Sequence, residues 1–97
     1  ERDMARRVAY NLASTSVMDY IELSPRFSIV EITAPKAFQN KTIAESNIRA
    51  KYGINVVAIK RGEDLIISPL PSEKIIKDDI VVVVGKNESI NGLEALE

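Results

Sequence analysis

The sequence predicts an α+β fold, a small two-layer sandwich in which a mixed sheet of about four strands packs with two helices. Three observations lead there. Four runs rich in β-branched residues, FSIVEIT, INVVAIK, DLIIS and IVVVV, recur between Phe27 and Val84. Between them one segment, TIAESNIRAKY, combines helical periodicity with signals for both helix ends. A chain of 97 residues can bury one hydrophobic core and has no room for a second.

Taken in order, residues 1–25 read as a helical connector. Ala5, Val8, Ala9 and Leu12 recur at helical spacing across Arg2 to Ala13, with charge on the other face. VMDYIELSP then carries a weak period-two signal that Pro25 closes. FSIVEIT opens the sheet, and TAPKAFQNK is a loop. Thr42 and Glu45 have capping-box spacing, each satisfying a backbone donor left open at a helix start. Gly53 ends that helix, because it takes a left-handed cap conformation without steric cost. INVVAIK and DLIIS, parted by Arg61, Gly62 and Glu63, read as a tight hairpin. SPLP stops the second strand and SEKIIKDD links to IVVVV, whose unbroken apolar run fits a central strand covered on both faces. Asn87 is the expected cap of a last short helix, SINGLEAL.

Composition narrows the function. Thirteen basic residues nearly balance fourteen acidic ones, which leaves no overall charge for gripping duplex nucleic acid or anionic lipid. No segment approaches the apolar run of about 20 residues that spans a bilayer. Without Cys or His, disulfides, zinc-finger geometry and Cys/His nucleophile pairs are excluded, and the commonest general base is missing. Glu63–Asp64 and Asp78–Asp79 read as turn residues in preference to a catalytic dyad or a magnesium site. The four glycines are isolated and form no phosphate-cradling loop. A non-enzymatic protein without a metal site is expected. The chain starts at Glu1 without an initiator Met, as a piece of a longer protein would.

Two polar side chains flank the Gly53 stop with no carboxylate near them before Glu63. On the expected helix, Ala44, Ile48 and Tyr52 form the stripe that faces the sheet, and Ile43 and Arg49 lie off it. Ile43 reads either as a first-turn residue against the preceding loop or as an apolar platform for a ligand or subunit. Arg49 reads either as a solvated helix residue or as an anion contact, since guanidinium matches phosphate oxygens in a bidentate fork. Asn55 shares a strand face with Val57 and Ile59, opposite Ile54, Val56 and Ala58, and its amide could bond its own backbone or a ligand. Pro71 offers a rigid apolar surface for a planar ring, or simply stops a strand.

From Phe27 to Leu96 the chain resembles the RCK C-terminal, or TrkA-C, regulatory domain of bacterial potassium channels and transporters. FSIVEI, KTIAESNIRAKYGINVVAIKRG and ISPLPSEKIIKDDIVVVVGK carry the likeness, and NIRAKYG followed by VVAIKR is similar to the Ktr-type potassium uptake regulators in particular. Asp78 departs from the pattern, standing where many members have Gly; Asp tolerates the left-handed turn. The resemblance implies that residues 1–25 are the connector following a nucleotide-binding N-lobe absent here, and residues 26–97 the ligand-binding domain. It implies a cytoplasmic homodimer peripheral to a membrane potassium-transport subunit. It further implies a regulatory ligand, the second messenger cyclic di-AMP, bound at the dimer interface, with Arg49 and Asn55 as polar contacts and Ile43, Ile54 and Pro71 around the adenines. A two-fold ligand with two phosphates and two adenines suits a two-fold protein that presents each patch twice. The competing expectation is a ligand-free domain that dimerises and transmits conformational change.

Overall fold

A computed structural model describes residues 17–93. Its main sheet has five strands in the order β1-β2-β7-β4-β5, formed by Val17–Ser24 (β1), Phe27–Thr33 (β2), Ile54–Arg61 (β4), Asp64–Ile67 (β5) and Ile80–Lys86 (β7). Two short strands, Lys41–Thr42 (β3) and Lys74–Ile75 (β6), pair separately. The α-helical segments are Ile43–Ser46 (α1), Ile48–Tyr52 (α2) and Asn87–Asn91 (α3), and a single 3-10 turn spans Lys36–Phe38. The α+β reading holds, with two differences in the sheet. Every strand pair is antiparallel, so the sheet is not mixed. The fifth strand comes from the stretch expected to be connector: VMDYIELS pairs with β2 across the Pro25–Arg26 turn, so Pro25 makes a hairpin and does not end a linker. The weak period-two signal there was the sheet edge. The helix expected over Arg2 to Ala13 lies outside the described residues.

The core lies between one sheet face and the helical layer. Ser28, Val30 and Ile32 of β2 and Val81 and Val83 of β7 alternate inward at period two, as a half-buried strand requires. Phe38, Ile48, Ile75, Ile90 and Leu93 pack onto them from the other layer. β7 is central, as its run of valines predicts, but it is not covered on both faces. Ile80, Val82 and Val84 remain half-buried on the outer side, where the described residues form no second layer.

Strand β4 departs from strict alternation. Val56 pairs with Val83, yet Ala58 pairs with Val82, so Val57 is an extra residue. A bulge of this kind switches the inward phase. Ile54 and Ile59 are therefore both fully buried although five positions apart, and the expected grouping of Asn55 with Ile59 on one face fails.

The Gly62–Glu63 hairpin forms as expected, with Gly62 at φ 62°. Just before it, Arg61 reaches the loop between β6 and β7. Its Nε and Nη2 donate to the two oxygens of Asp79 at 2.9 and 2.8 Å, and Nη2 also donates to the Lys74 carbonyl at 2.8 Å. Ile76 N–H donates to Asp79 Oδ2 at 2.9 Å. Asp79 is thus a buried structural anion, a role its reading as a turn residue did not include. Asp78 beside it holds a left-handed φ of 73°, the conformation in which Gly would be unstrained.

Asn87 does not cap α3. Lys86 occupies the cap position, and the Asn87 side chain instead accepts from Ser28 Oγ at 2.7 Å and donates to the Pro25 carbonyl at 3.1 Å. The amide that looked like a local cap is a tertiary tie between the start of α3 and the β1–β2 hairpin.

Candidate functional site

The segment expected to be one helix, Thr42 to Tyr52, folds as two short turns. Its start is as read from the sequence: Thr42 Oγ1 accepts from Glu45 N–H at 3.0 Å and Glu45 Oε1 accepts from Thr42 N–H at 2.8 Å. Its end is too, with Gly53 at φ 71° and its N–H donating to the Arg49 carbonyl at 3.0 Å. Between them Asn47 adopts φ 52°, ψ 41°, which ends α1 and begins α2 in a new direction. The stripe of Ala44, Ile48 and Tyr52 is broken accordingly. Ile48 is buried and Tyr52 packs against the core at 5.8 Å from Phe38, whereas Ala44 is exposed. Ile43 is half-buried and packs against the core cluster.

Main-chain bonds fix the start of α1 against the loop after β5. Ile43 N–H donates to the Glu73 carbonyl and Ala44 N–H to the Pro71 carbonyl, both at 3.0 Å. β3 and β6 continue that pairing outward, and Arg61, while holding Asp79, also reaches Glu73 and the Lys74 carbonyl at the end of this loop. Ser68, at φ 51°, ends β5 and donates its N–H to Val57, the bulge residue, at 2.9 Å. Pro69 and Pro71 are thereby turned toward the helical turns.

These ties leave an open depression of about 250 Å³. Ile43, Arg49, Ile54, Asn55 and Pro71, the five positions singled out in the sequence, all line it. The structure draws four of them from the consecutive elements α1, α2 and the start of β4, and the fold brings the distant Pro71 of the proline loop to them. Their contributions differ. Arg49, Asn55 and Pro71 are exposed, and among the described residues neither Arg49 nor Asn55 has a side-chain hydrogen bond or ion pair. Ile54 is 0% exposed, so it forms the floor and offers almost no surface. Val56, Ala44, Asn47, Ile48 and Pro69 complete the lining and were missed. Val56 carried a signal, its period-two relation to Ile54; Asn47 carried none that separates it from any polar helix residue.

Chemically the depression has apolar walls, one guanidinium and two amides. No carboxylate lines it, and among the described residues no cluster of Asp or Glu could hold a metal ion. The chemistry of such a lining suits an anion joined to an apolar group, with the cation and amides facing the charged part and the Ile, Val and Pro surfaces facing the rest.

Comparison with known proteins agrees with this picture of the fold. The chain is 50% identical over 94 residues to Ktr system potassium uptake protein C of Bacillus subtilis (strain 168), and 38% identical to Ktr system potassium uptake protein A of the same organism. In both cases 97% of this chain aligns with 42% of the relative, so the chain spans less than half the length of these proteins. A solved structure of the RCK C domain of potassium transport protein KtrA, in complex with cyclic diadenosine monophosphate, superposes with a TM-score of 0.65 at 32% identity, covering 95% of this chain and 96% of that one. The GsuK RCK domain superposes with a TM-score of 0.69 over 84% of the chain, at 22% identity a likeness of fold alone. The TrkA-C domain model matches residues 27–96, and the chain belongs to the TrkA-C domain family.

Proposed function

We propose that this chain is the ligand-sensing part of a bacterial potassium uptake regulator, which binds cyclic di-AMP at a homodimer interface and restrains uptake by a membrane transport subunit. The observation that carries the proposal is the convergence of Ile43, Arg49, Ile54, Asn55 and Pro71 on one depression, with the guanidinium and the Asn55 amide exposed and unbonded. The complex of the KtrA C domain with the same dinucleotide supports this reading.

Size supports a shared site. At about 250 Å³ the depression falls below the range of roughly 300–1,000 Å³ typical of pockets that enclose a whole drug-sized ligand. One copy holds half of the symmetric dinucleotide, and two copies related by a two-fold axis hold it all. Each Arg49 neutralises one phosphate, Asn55 bonds beside it, and Ile43, Val56 and Pro71 cover the adenine over the Ile54 floor. Binding stabilises one relative orientation of the two subunits, and the difference in affinity between orientations is the signal passed to the transporter. The protein works in the cytoplasm, at the membrane-bound transporter. Residues ahead of the sheet connect it to a nucleotide-binding lobe in the full-length subunit.

Isothermal calorimetry of the 97-residue chain with cyclic di-AMP tests this. One ligand per dimer is expected, with the heat abolished in Arg49→Ala. A flat titration from an intact dimer would transfer the case to a ligand-free coupling domain.

A further inference from the structure

Three polar side chains line the depression, and the proposed function uses two of them. The third, Asn47, is exposed and has no side-chain hydrogen bond among the described residues. Its backbone is fully engaged: its N–H donates to the Ile43 and Ala44 carbonyls at 3.2 and 3.1 Å, and its carbonyl accepts from Lys51 N–H at 2.9 Å. The left-handed φ of 52° and these bonds hold the residue in place while leaving the amide unspent. Asn47 also lies next to the apolar wall, bonded through its backbone to Ile43, whereas Asn55 lies beyond Gly53 on the strand side with Val84 as its cross-strand neighbour.

Resting on the reading of this site as a cyclic dinucleotide pocket, we propose that Asn47 reads the base, pairing its amide with the amino and N7 edge of adenine and so selecting adenine over guanine. A carboxamide presents one acceptor and one donor side by side, which matches the N6 amino group and N7 of adenine. The same edge of guanine carries two acceptors, O6 and N7, so one amide bond is lost and the amide carbonyl faces O6. No carboxylate in the lining could recover guanine by accepting from its N–H groups.

The test is calorimetry with cyclic di-AMP and cyclic di-GMP on the wild-type chain and on Asn47→Gly, with thermal unfolding alongside. Gly keeps the left-handed backbone at no steric cost and removes only the amide. The wild type is expected to prefer cyclic di-AMP by about 100-fold, one discriminating amide being met in each of two copies. In Asn47→Gly, cyclic di-AMP affinity is expected to fall about 100-fold, because one ligand meets two copies, while cyclic di-GMP affinity hardly changes. If Asn47→Gly lowers the unfolding temperature, the titrations of both chains are run well below that transition, where each is folded. Unchanged selectivity in Asn47→Gly, with wild-type binding intact, overturns the role of Asn47 alone. Failure of the wild type to bind cyclic di-AMP overturns the site reading and this inference together.

Discussion

Burial of the Asp79 carboxylate against Arg61 makes part of the folding free energy depend on pH. Burial by itself raises the carboxyl pKa, but the hydrogen bonds from Arg61 and Ile76 N–H, with the guanidinium charge, outweigh it and hold the group below the usual carboxylate range. Arg61 moves the other way, raised chiefly by its hydrogen bonds to Asp79. A carboxylate depressed in the native state stabilises it at every pH above the unfolded value of about 3.9, and that contribution is lost as pH falls through the native value. Replacing Asp79 by Asn should therefore cost about 2–3 kcal/mol at neutral pH, allowing for the partly exposed Arg61. The gap between variant and wild type should stay constant above about pH 5 and close below about pH 4. Urea unfolding across that range checks it, and a gap that widens in acid would reject the assignment.

Gly85 of β7 lies where β7, β4 and the pocket floor meet. A Cβ placed there would come within 2.7 Å of Cγ2 of the fully buried Ile54 and 3.3 Å of the Gly53 carbonyl, so the strand or the floor must shift. Gly85→Ala is expected to lose about 1–3 kcal/mol by overpacking and to weaken cyclic di-AMP binding through displacement of the floor. Denaturant midpoints and calorimetry on one preparation measure both effects, and full stability in the variant would show that β4 yields easily. The elements legible in the sequence were those specified by neighbours in the chain. The Thr42–Glu45 box, the Gly53 stop and the Gly62 turn each depend on four or five consecutive residues. What escaped was set by distant partners. Asn47 breaks a good helical pattern because α1 is bonded to the proline loop, and Val57 bulges where β5 turns away. Asp79 is paired with an arginine 18 positions earlier. The five candidate positions were singled out through family resemblance, while helical and strand periodicity taken alone left each one ambiguous.

At the scale of the whole molecule, the sheet has one finished side and one open side. The outer face carries Ile21 at 62% exposure and Ile67 at 69%, with Leu70 at 69% next to the prolines of the depression. If the proposed homodimer forms, these exposed apolar side chains are the surface expected to meet the second copy. Changing Ile67 and Leu70 together to Asp should raise the dimer dissociation constant by at least about tenfold, given that central apolar contacts are each worth more than about 1 kcal/mol. Their exposure predicts a nearly unchanged thermal transition for the separated chains. Sedimentation velocity reads the first effect and circular dichroism the second; unaltered self-association would remove this rim from the contact.

The jaws of the recess are joined by peptide groups, through Ile43 to Glu73 and Ala44 to Pro71. Peptide groups are common to all residues except for the missing donor of proline, so the aperture is written in segment length more than in side-chain identity. Over long divergence, substitutions along this stretch could recolour the lining and leave its width alone. Removal of a single residue between the two anchors would slip the jaws out of register.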